Sequence, residues 1–303
     1  GIESFERFSF LERNRRLLEP RQVEIQVNSS SLNLSDLIKT SMEKSEELDE
    51  NGLISGFGME CSGTIMRKGN EVKDFNIGDH VIGFGSNCIG NYSVLESEHI
   101  FLKPSHISFE ESATIPVAFL TAYYTLHNLA HINQGDRVLI HNATSDVGLA
   151  AIQVAKAAGA NVLATTDTSE KKAFLKAMGI QNIDNSDLFD FAEETNRFCD
   201  EGSFDIVLNM ATRKTIDPDI SILKPFTGRY IDVVSFDHNS RLKTDLLIKG
   251  IAYFVFDLAV MAQKRPQLIT STLKNIVEQI ENKVLHPLPY RCFPISEINS
   301  AFG

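Results

Sequence analysis

Cysteine is scarce in this chain. The four residues, Cys61, Cys88, Cys199 and Cys292, are scattered, and no two stand at metal-ligand spacing. That excludes zinc-ribbon patterns and reads as free, mostly buried thiols in a reducing cytoplasm rather than a disulfide framework. The eight histidines form no H-E-x-x-H pair, so no protein-bound metal is expected. Basic residues are outnumbered, 29 against 40 acidic, and the net charge of −11 argues against a nucleic-acid partner. No apolar run approaches the roughly 18 residues of a membrane span. The first residues, Gly1 to Phe5, lack the basic head and apolar stretch of a signal peptide, and are read as a tag scar or the edge of a domain cut from a longer chain. Repeats and low-complexity tracts are absent. What remains is an ordinary globular balance, 43% apolar and 23% charged, over 303 residues. At about 150 residues per domain, that length predicts two domains.

The first third reads as short strands. Gln22–Val27 alternates polar and apolar residues as a half-buried strand does, and Val81–Phe84 and Tyr92–Leu95 each follow a glycine-containing turn. Lys39–Asn51 is polar and acidic and is assigned no structure. Phe109–Leu129 carries apolar residues at helical spacing, interrupted by Pro116. Strands then alternate with helices: Arg137–Asn142, helix Val147–Ala158, Asn161–Thr165, helix Ser169–Met178, Phe204–Asn209 and Arg229–Val234. Strands apolar along their whole length, alternating with helices, imply a parallel sheet covered on both faces. A long helix, Gln267–Asn282, precedes a proline-rich end.

The most informative stretch is Val138 to Ala151, where a strand feeds a short polar turn and the turn feeds a helix. A helix start presents free N–H groups and a partial positive charge, which suits a pyrophosphate. Gly148 lets such a helix pack close to the sheet. The G-x-G-x-x-G form is not met, because Ala143, Ser145 and Asp146 occupy positions often held by glycine or small residues. The turn by itself is also compatible with an ordinary strand-to-helix connection. The next strand ends Thr165-Thr166, without the carboxylate that an NAD enzyme uses for its ribose, and Lys171 and Lys172 follow. Hydroxyls and lysines suit a 2′-phosphate, although Asp167 is an unfavourable neighbour expected to turn outward. The competing reading of the two lysines is a solvated first helical turn.

These residues resemble the enoyl reductase domain of a modular polyketide synthase, in the zinc-free branch of the medium-chain dehydrogenase/reductase superfamily; animal fatty acid synthase carries the same kind of domain. The resemblance runs through Glu19–Ile25, Leu32–Asp36, Gly58–Gly63, Val72–Val81, Ala113–Leu126, the nucleotide turn, Asp205–Asn209 and Val284–Pro289. It implies an α/β chain with two parts: a GroES-like β-rich substrate domain from residues 1–120 and 255–303, and a Rossmann-type nucleotide domain from 121–254. It further implies NADPH as cofactor and an α,β-unsaturated thioester on an acyl carrier protein as substrate, with neighbouring polyketide synthase domains as partners. Zinc-dependent relatives have Gly-His-Glu where this chain has Gly58-Met59-Glu60. By position, Thr144, Ser145, Asp146, Val147 and Gly148 should hold the pyrophosphate, and Thr165, Thr166 and Lys171 the adenosine phosphate end. Asn209, Met210, Val233, Val234 and Ser235 should line the nicotinamide, with Thr121 near its ring. Asn33 matches an asparagine close to the active site.

Departures from the family concern the proton. The family commonly carries a glycine and a lysine where this chain has Val234 and Ser235, and that lysine is a candidate acid. A tyrosine expected about ten residues beyond Asn33 is also missing. Asp257 stands at the position of the lysine's partner carboxylate. Three outcomes are compatible with this: protonation by Lys44, Asp257 or water; closure of a cyclopropane ring when the substrate carries a γ-leaving group such as chloride; or reduced activity. Two other classes stay open, a free-standing quinone oxidoreductase and a cofactor-binding remnant. Family members continue past Phe302 with a basic stretch and a closing strand, so that strand is expected to be absent.

Overall fold

The computed structural model describes residues 14–41, 56–185, 203–210, 217–233 and 249–301. The chain divides into two compact units. One comprises Gly1–Val117, Ile269–Val277 and Pro287–Gly303, the other Ala118–Leu268 and Glu278–His286.

The first unit is built on a five-stranded antiparallel sheet. Its strands are β1 (Gln22–Ser30), β2 (Glu60–Lys68), β3 (His80–Phe84), β4 (Tyr92–Glu96) and β5 (Ile100–Leu102), in the order β4-β1-β2-β3-β5. Val23, Ile25, Cys61, Ile65, Val72, Val81, Cys88, Leu95 and Ile100 form its core. The alternation expected along Gln22–Val27 is overridden. Glu24 lies between the apolar Val23 and Ile25 yet is only 1% exposed, because Arg15 and Arg67 close over its carboxylate. Burial alone would raise that carboxyl, but the hydrogen bonds from Arg67 and Arg15 outweigh it and hold it at about 2, from an ordinary 4.5. A short helix, α1 (Leu34–Ser41), follows β1, so the first residues of Lys39–Asn51 are helical; Met42 to Asn51 lie outside the described residues. Cys61 and Cys88 are buried free thiols as expected, whereas Cys292 is exposed; Cys199 lies outside the described residues.

Phe109–Leu129 breaks where the proline predicts. Helix α2 (Phe109–Ala113) opens on a capping box between Ser108 and Glu111, α3 (Pro116–Tyr123) starts at the proline, and a π-helical turn covers Tyr124–Leu129. Proline at a first helical position loses no hydrogen bond, since that N–H has no intrahelical partner.

The second unit holds six parallel strands in the order β11-β10-β9-β6-β7-β8. These are β6 (Arg137–Ile140), β7 (Asn161–Thr166), β8 (Ile183–Asn185), β9 (Ile206–Asn209), β10 (Arg229–Val233) and β11 (Ala252–Phe256). Helices α4 (Asp146–Ala157) and α5 (Ser169–Ala177) connect β6 to β7 and β7 to β8. Leu139, Leu163, Phe204, Val207, Leu223 and Tyr230 are buried in its core. Val255 and Phe256, read from sequence as substrate domain, pair with Asp232 and Val233 and close this sheet. The sequence boundary cut through β11, because a strand seeking a partner obeys ladder geometry that composition does not display. No helix among the described residues is long and apolar enough to cross a membrane.

Glu24 gives a pH test of the first unit. A carboxyl whose folded pKa is depressed contributes above its unfolded pKa and loses that contribution as pH falls through the folded one. Thermal unfolding followed from pH 5 to pH 2 should therefore show a decline to which Glu24 contributes roughly 2–3 kcal/mol. Glu24→Gln should be less stable at neutral pH and show a flatter decline over that range.

Candidate active site

The strand–turn–helix stretch lies where the sheet changes direction. From β6 the chain passes through α4 to β7 on one side, while β9 pairs with β6 on the other. In open α/β sheets, ligands bind at such switch points, at the carboxyl ends of the strands. The turn is tied to both neighbours: His141 N–H donates to the Leu208 carbonyl at 3.0 Å and Ala143 N–H to the Thr165 carbonyl at 3.0 Å. Asn142 takes a left-handed φ of 48° to start the reversal. Ser145 is the N-cap, and its hydroxyl accepts from Gly148 N–H at 3.1 Å. The helix therefore begins at Asp146, one residue before the expected Val147. A Cβ added at Gly148 would lie 2.7 Å from Ala143 Cα and 2.8 Å from its carbonyl carbon. Helix α4 thus approaches the turn as closely as backbone allows. Asp146 Oδ1 accepts from Val147 N–H at 2.8 Å. Solvent reaches this side chain, yet the protein mass around it desolvates the carboxyl and pushes it above its usual range, against the pull of hydrogen bonds from Val147 and its own N–H.

At the end of β7, Thr165 and Thr166 are both buried. The Thr165 hydroxyl is 2.9 Å from His141 Nδ1, and His141 Nε2 lies 3.2 Å from Asp219 Oδ1, both side chains fully buried. Thr165 therefore turns its hydroxyl into the core toward a His–Asp pair that sequence reading did not single out. Asp167 does face solvent, but it takes Lys171 with it: Nζ sits 2.7 and 3.0 Å from the two carboxylate oxygens. That hydrogen bonding holds Asp167 below the usual carboxylate range.

Asn209 ends β9 buried, and its Nδ2 donates to Asp232 Oδ1 at 3.1 Å, while Tyr253 O–H donates to Asp232 Oδ2 at 3.3 Å. Burial pushes the Asp232 carboxyl up, and burial beside Asp232 pushes Tyr253 up to about 12. Met210 Sδ lies 3.9 Å from the Ser145 hydroxyl, which brings two of the expected cofactor residues together. Val233 ends β10. Thr121 is buried in α3, where its carbonyl accepts from the Thr125 hydroxyl at 2.7 Å. Asp257 caps the helix Leu258–Lys264, with Oδ1 accepting from Ala259 and Val260 N–H at 2.8 and 3.1 Å. Lys44, Val234 and Ser235 lie outside the described residues.

In the first unit, Asn33 is held on two sides. Its N–H donates to Asp36 Oδ2 at 3.0 Å, the backbone half of a capping box at the start of α1. Its side-chain Nδ2 donates to Glu60 Oε1 at 3.0 Å, and Glu60 Oε2 accepts from Val117 N–H at 2.8 Å. Asp36 Oδ1 accepts from Gly58 N–H at 2.9 Å. Asp36 and Glu60 were not assigned roles from sequence, although the Asn33-to-Asp36 spacing is a capping signal. Both are almost completely buried.

Two domain families match the sequence. Residues 19–121 match the alcohol dehydrogenase GroES-like domain, and residues 147–273 match the domain described as zinc-binding dehydrogenase. The residues do not fit a zinc ion: Met59 accepts a hydrogen bond from the Ser35 hydroxyl at 2.9 Å, Glu60 is engaged as above, and among the described residues no three His, Cys, Asp or Glu side chains are grouped for a metal. The CurK enoyl reductase crystal structure matches with a TM-score of 0.87 and 33% identity, covering 97% of this chain and 90% of that one. The CurF ER cyclopropanase from the curacin A biosynthetic pathway matches with a TM-score of 0.87 and 30% identity, over the same 97% and 90%. A phenolphthiocerol/phthiocerol polyketide synthase of Mycobacterium tuberculosis is 31% identical over 283 residues, 93% of this chain; the chain spans 13% of that protein.

Two substitutions test this geometry. Gly148→Val forces α4 off the turn and should weaken nicotinamide dinucleotide binding at least about tenfold, with the circular dichroism spectrum retained. Glu60→Ala strips the Asn33 amide and Val117 N–H of a buried acceptor and should lower stability by about 1–3 kcal/mol, measured by chemical denaturation.

Proposed function

The chain belongs to the enoyl reductase branch of the medium-chain dehydrogenase/reductase superfamily, and we propose that it is an NADPH-dependent enoyl reductase of a polyketide assembly line. Its substrate would be an α,β-unsaturated acyl thioester presented by an acyl carrier protein, with neighbouring synthase domains in a cytoplasmic setting. The observation that carries the reading is the close-packed turn at Gly148 on the switch-point strand, in a chain that matches 90% of an enoyl reductase.

The chain's own residues would divide the work as follows. Ser145, Val147 and Gly148 offer the start of α4 to the diphosphate. Thr166 at the end of β7 leaves out the ribose-binding carboxylate of an NAD site, and Lys171 supplies the cation for a 2′-phosphate, which must draw it from Asp167. Asn209 and Met210 border the nicotinamide side. When bound, NADPH would supply a hydride for the substrate β-carbon, and an enolate would be left at the substrate α-carbon. Asn33, fixed by Glu60, orients the thioester. Lys44, Asp257 or water then delivers the proton; Asp257 keeps one carboxylate oxygen outside its capping bonds. Ser235 replaces the family's lysine, and a neutral hydroxyl is a weak acid for this step.

The missing lysine, together with the likeness to a cyclopropanase, favours a second reading. With a γ-chloro substrate, the enolate electron pair at the α-carbon forms a bond to the γ-carbon, the carbon–chlorine bond breaks, and chloride leaves. No proton is needed, and intramolecular attack is entropically favoured.

Incubation with NADPH and carrier-bound enoyl or γ-chloroenoyl thioesters, read by mass spectrometry, tests both. The reductase reading expects a saturated thioester, and the second expects a ring with loss of chloride. Turnover of free quinones with no dependence on carrier protein would instead identify a quinone oxidoreductase. Lys171→Ala should raise the NADPH dissociation constant about tenfold and leave that of NADH nearly unchanged; equal affinity of the unmutated chain for both would remove the case for NADPH.

A further inference from the structure

The helix start assigned to the cofactor diphosphate already carries an acidic side chain of its own. Four N–H groups at the start of α4 lack an intrahelical partner, those of Ser145, Asp146, Val147 and Gly148. Ser145 N–H donates to the Asn142 carbonyl at 3.0 Å, Gly148 N–H to the Ser145 hydroxyl at 3.1 Å, and Val147 N–H to Asp146 Oδ1 at 2.8 Å. Three of the four donors are thus engaged by groups of the same turn. The positive end of the helix dipole meets the acidic side chain of Asp146, at a position where glycine or a small residue is common.

We propose that Asp146 competes with the cofactor diphosphate for the start of α4 and so sets the affinity of this chain for its nicotinamide cofactor. The inference rests on the cofactor reading above and adds to it a residue that opposes binding. An entering diphosphate must draw Val147 N–H from the Asp146 carboxylate, then remain beside that charge at a distance where repulsion is weakly screened. Asp146 is exposed, so the displaced carboxylate turns to water. Lys171 acts on the 2′-phosphate alone, whereas Asp146 acts on the diphosphate that NADPH and NADH share.

The test is titration of NADPH and of NADH into the unmutated chain, Asp146→Asn and Asp146→Gly, followed by calorimetry, with circular dichroism to check the fold. Asparagine keeps an oxygen for Val147 N–H and removes the charge; glycine removes both. Asp146→Asn should bind about fivefold tighter and Asp146→Gly about tenfold tighter, by the same factor for the two nucleotides. A purely structural role for Asp146 has the opposite sign, since loss of an acidic first-turn residue weakens the helix start. Unchanged or weaker binding in both folded variants, while the unmutated chain binds, overturns the competition and leaves the cofactor reading standing. Absence of nucleotide binding by all three proteins overturns the cofactor reading and this inference with it.

Discussion

The nucleotide unit depends on one close approach, the packing of the first turn of α4 against Ala143 at the end of β6. Only a residue without a Cβ permits it. The approach sets the helix start beside the carboxyl end of β6, and hydrogen bonds from His141 and Ala143 pin the turn to β9 and β7. The parallel ladder on either side fixes where those neighbours end, so Thr165, Thr166 and Asn209 arrive at the same edge without being near in sequence.

Acidic residues give this edge its particular character. Asp146 and Asp167 each engage a neighbouring donor, an N–H in one case and a lysine in the other. The exposed pair between Asp167 and Lys171 contributes little to stability by itself. Under the proposed NADPH reading, a 2′-phosphate would have to exchange partners with Asp167 rather than meet a free cation. The buried His141–Asp219 pair beneath Thr165 works differently: it holds a strand-end hydroxyl inward.

Buried carboxylates organise the other unit. Glu24, Asp36 and Glu60 are each at most 2% exposed. A carboxylate in such a place is tolerated only when donors surround it. For Glu24 the donors are two arginines; for Asp36 and Glu60 they are backbone N–H groups and the Asn33 amide. The result is that Asn33 is clamped from backbone and side chain together.

Much of this was legible beforehand. Continuous apolar strands alternating with helices announce a covered parallel sheet, because both faces of such a strand are buried. Pro116 marks its helix start because proline chemistry is local, and Gly148 marks the close packing of helix against turn because only glycine lacks a Cβ. The absence of a histidine at Met59 is likewise a property of composition. Tertiary structure alone decided the rest. Glu24 reads as a solvent-facing strand residue until Arg15 and Arg67 are brought over it. The pairing of β11 with β10, the clamp of Glu60 on Asn33 and the pairing of His141 with Asp219 join residues tens of positions apart. Such contacts follow from which elements each unit lays side by side, and no local spacing encodes them.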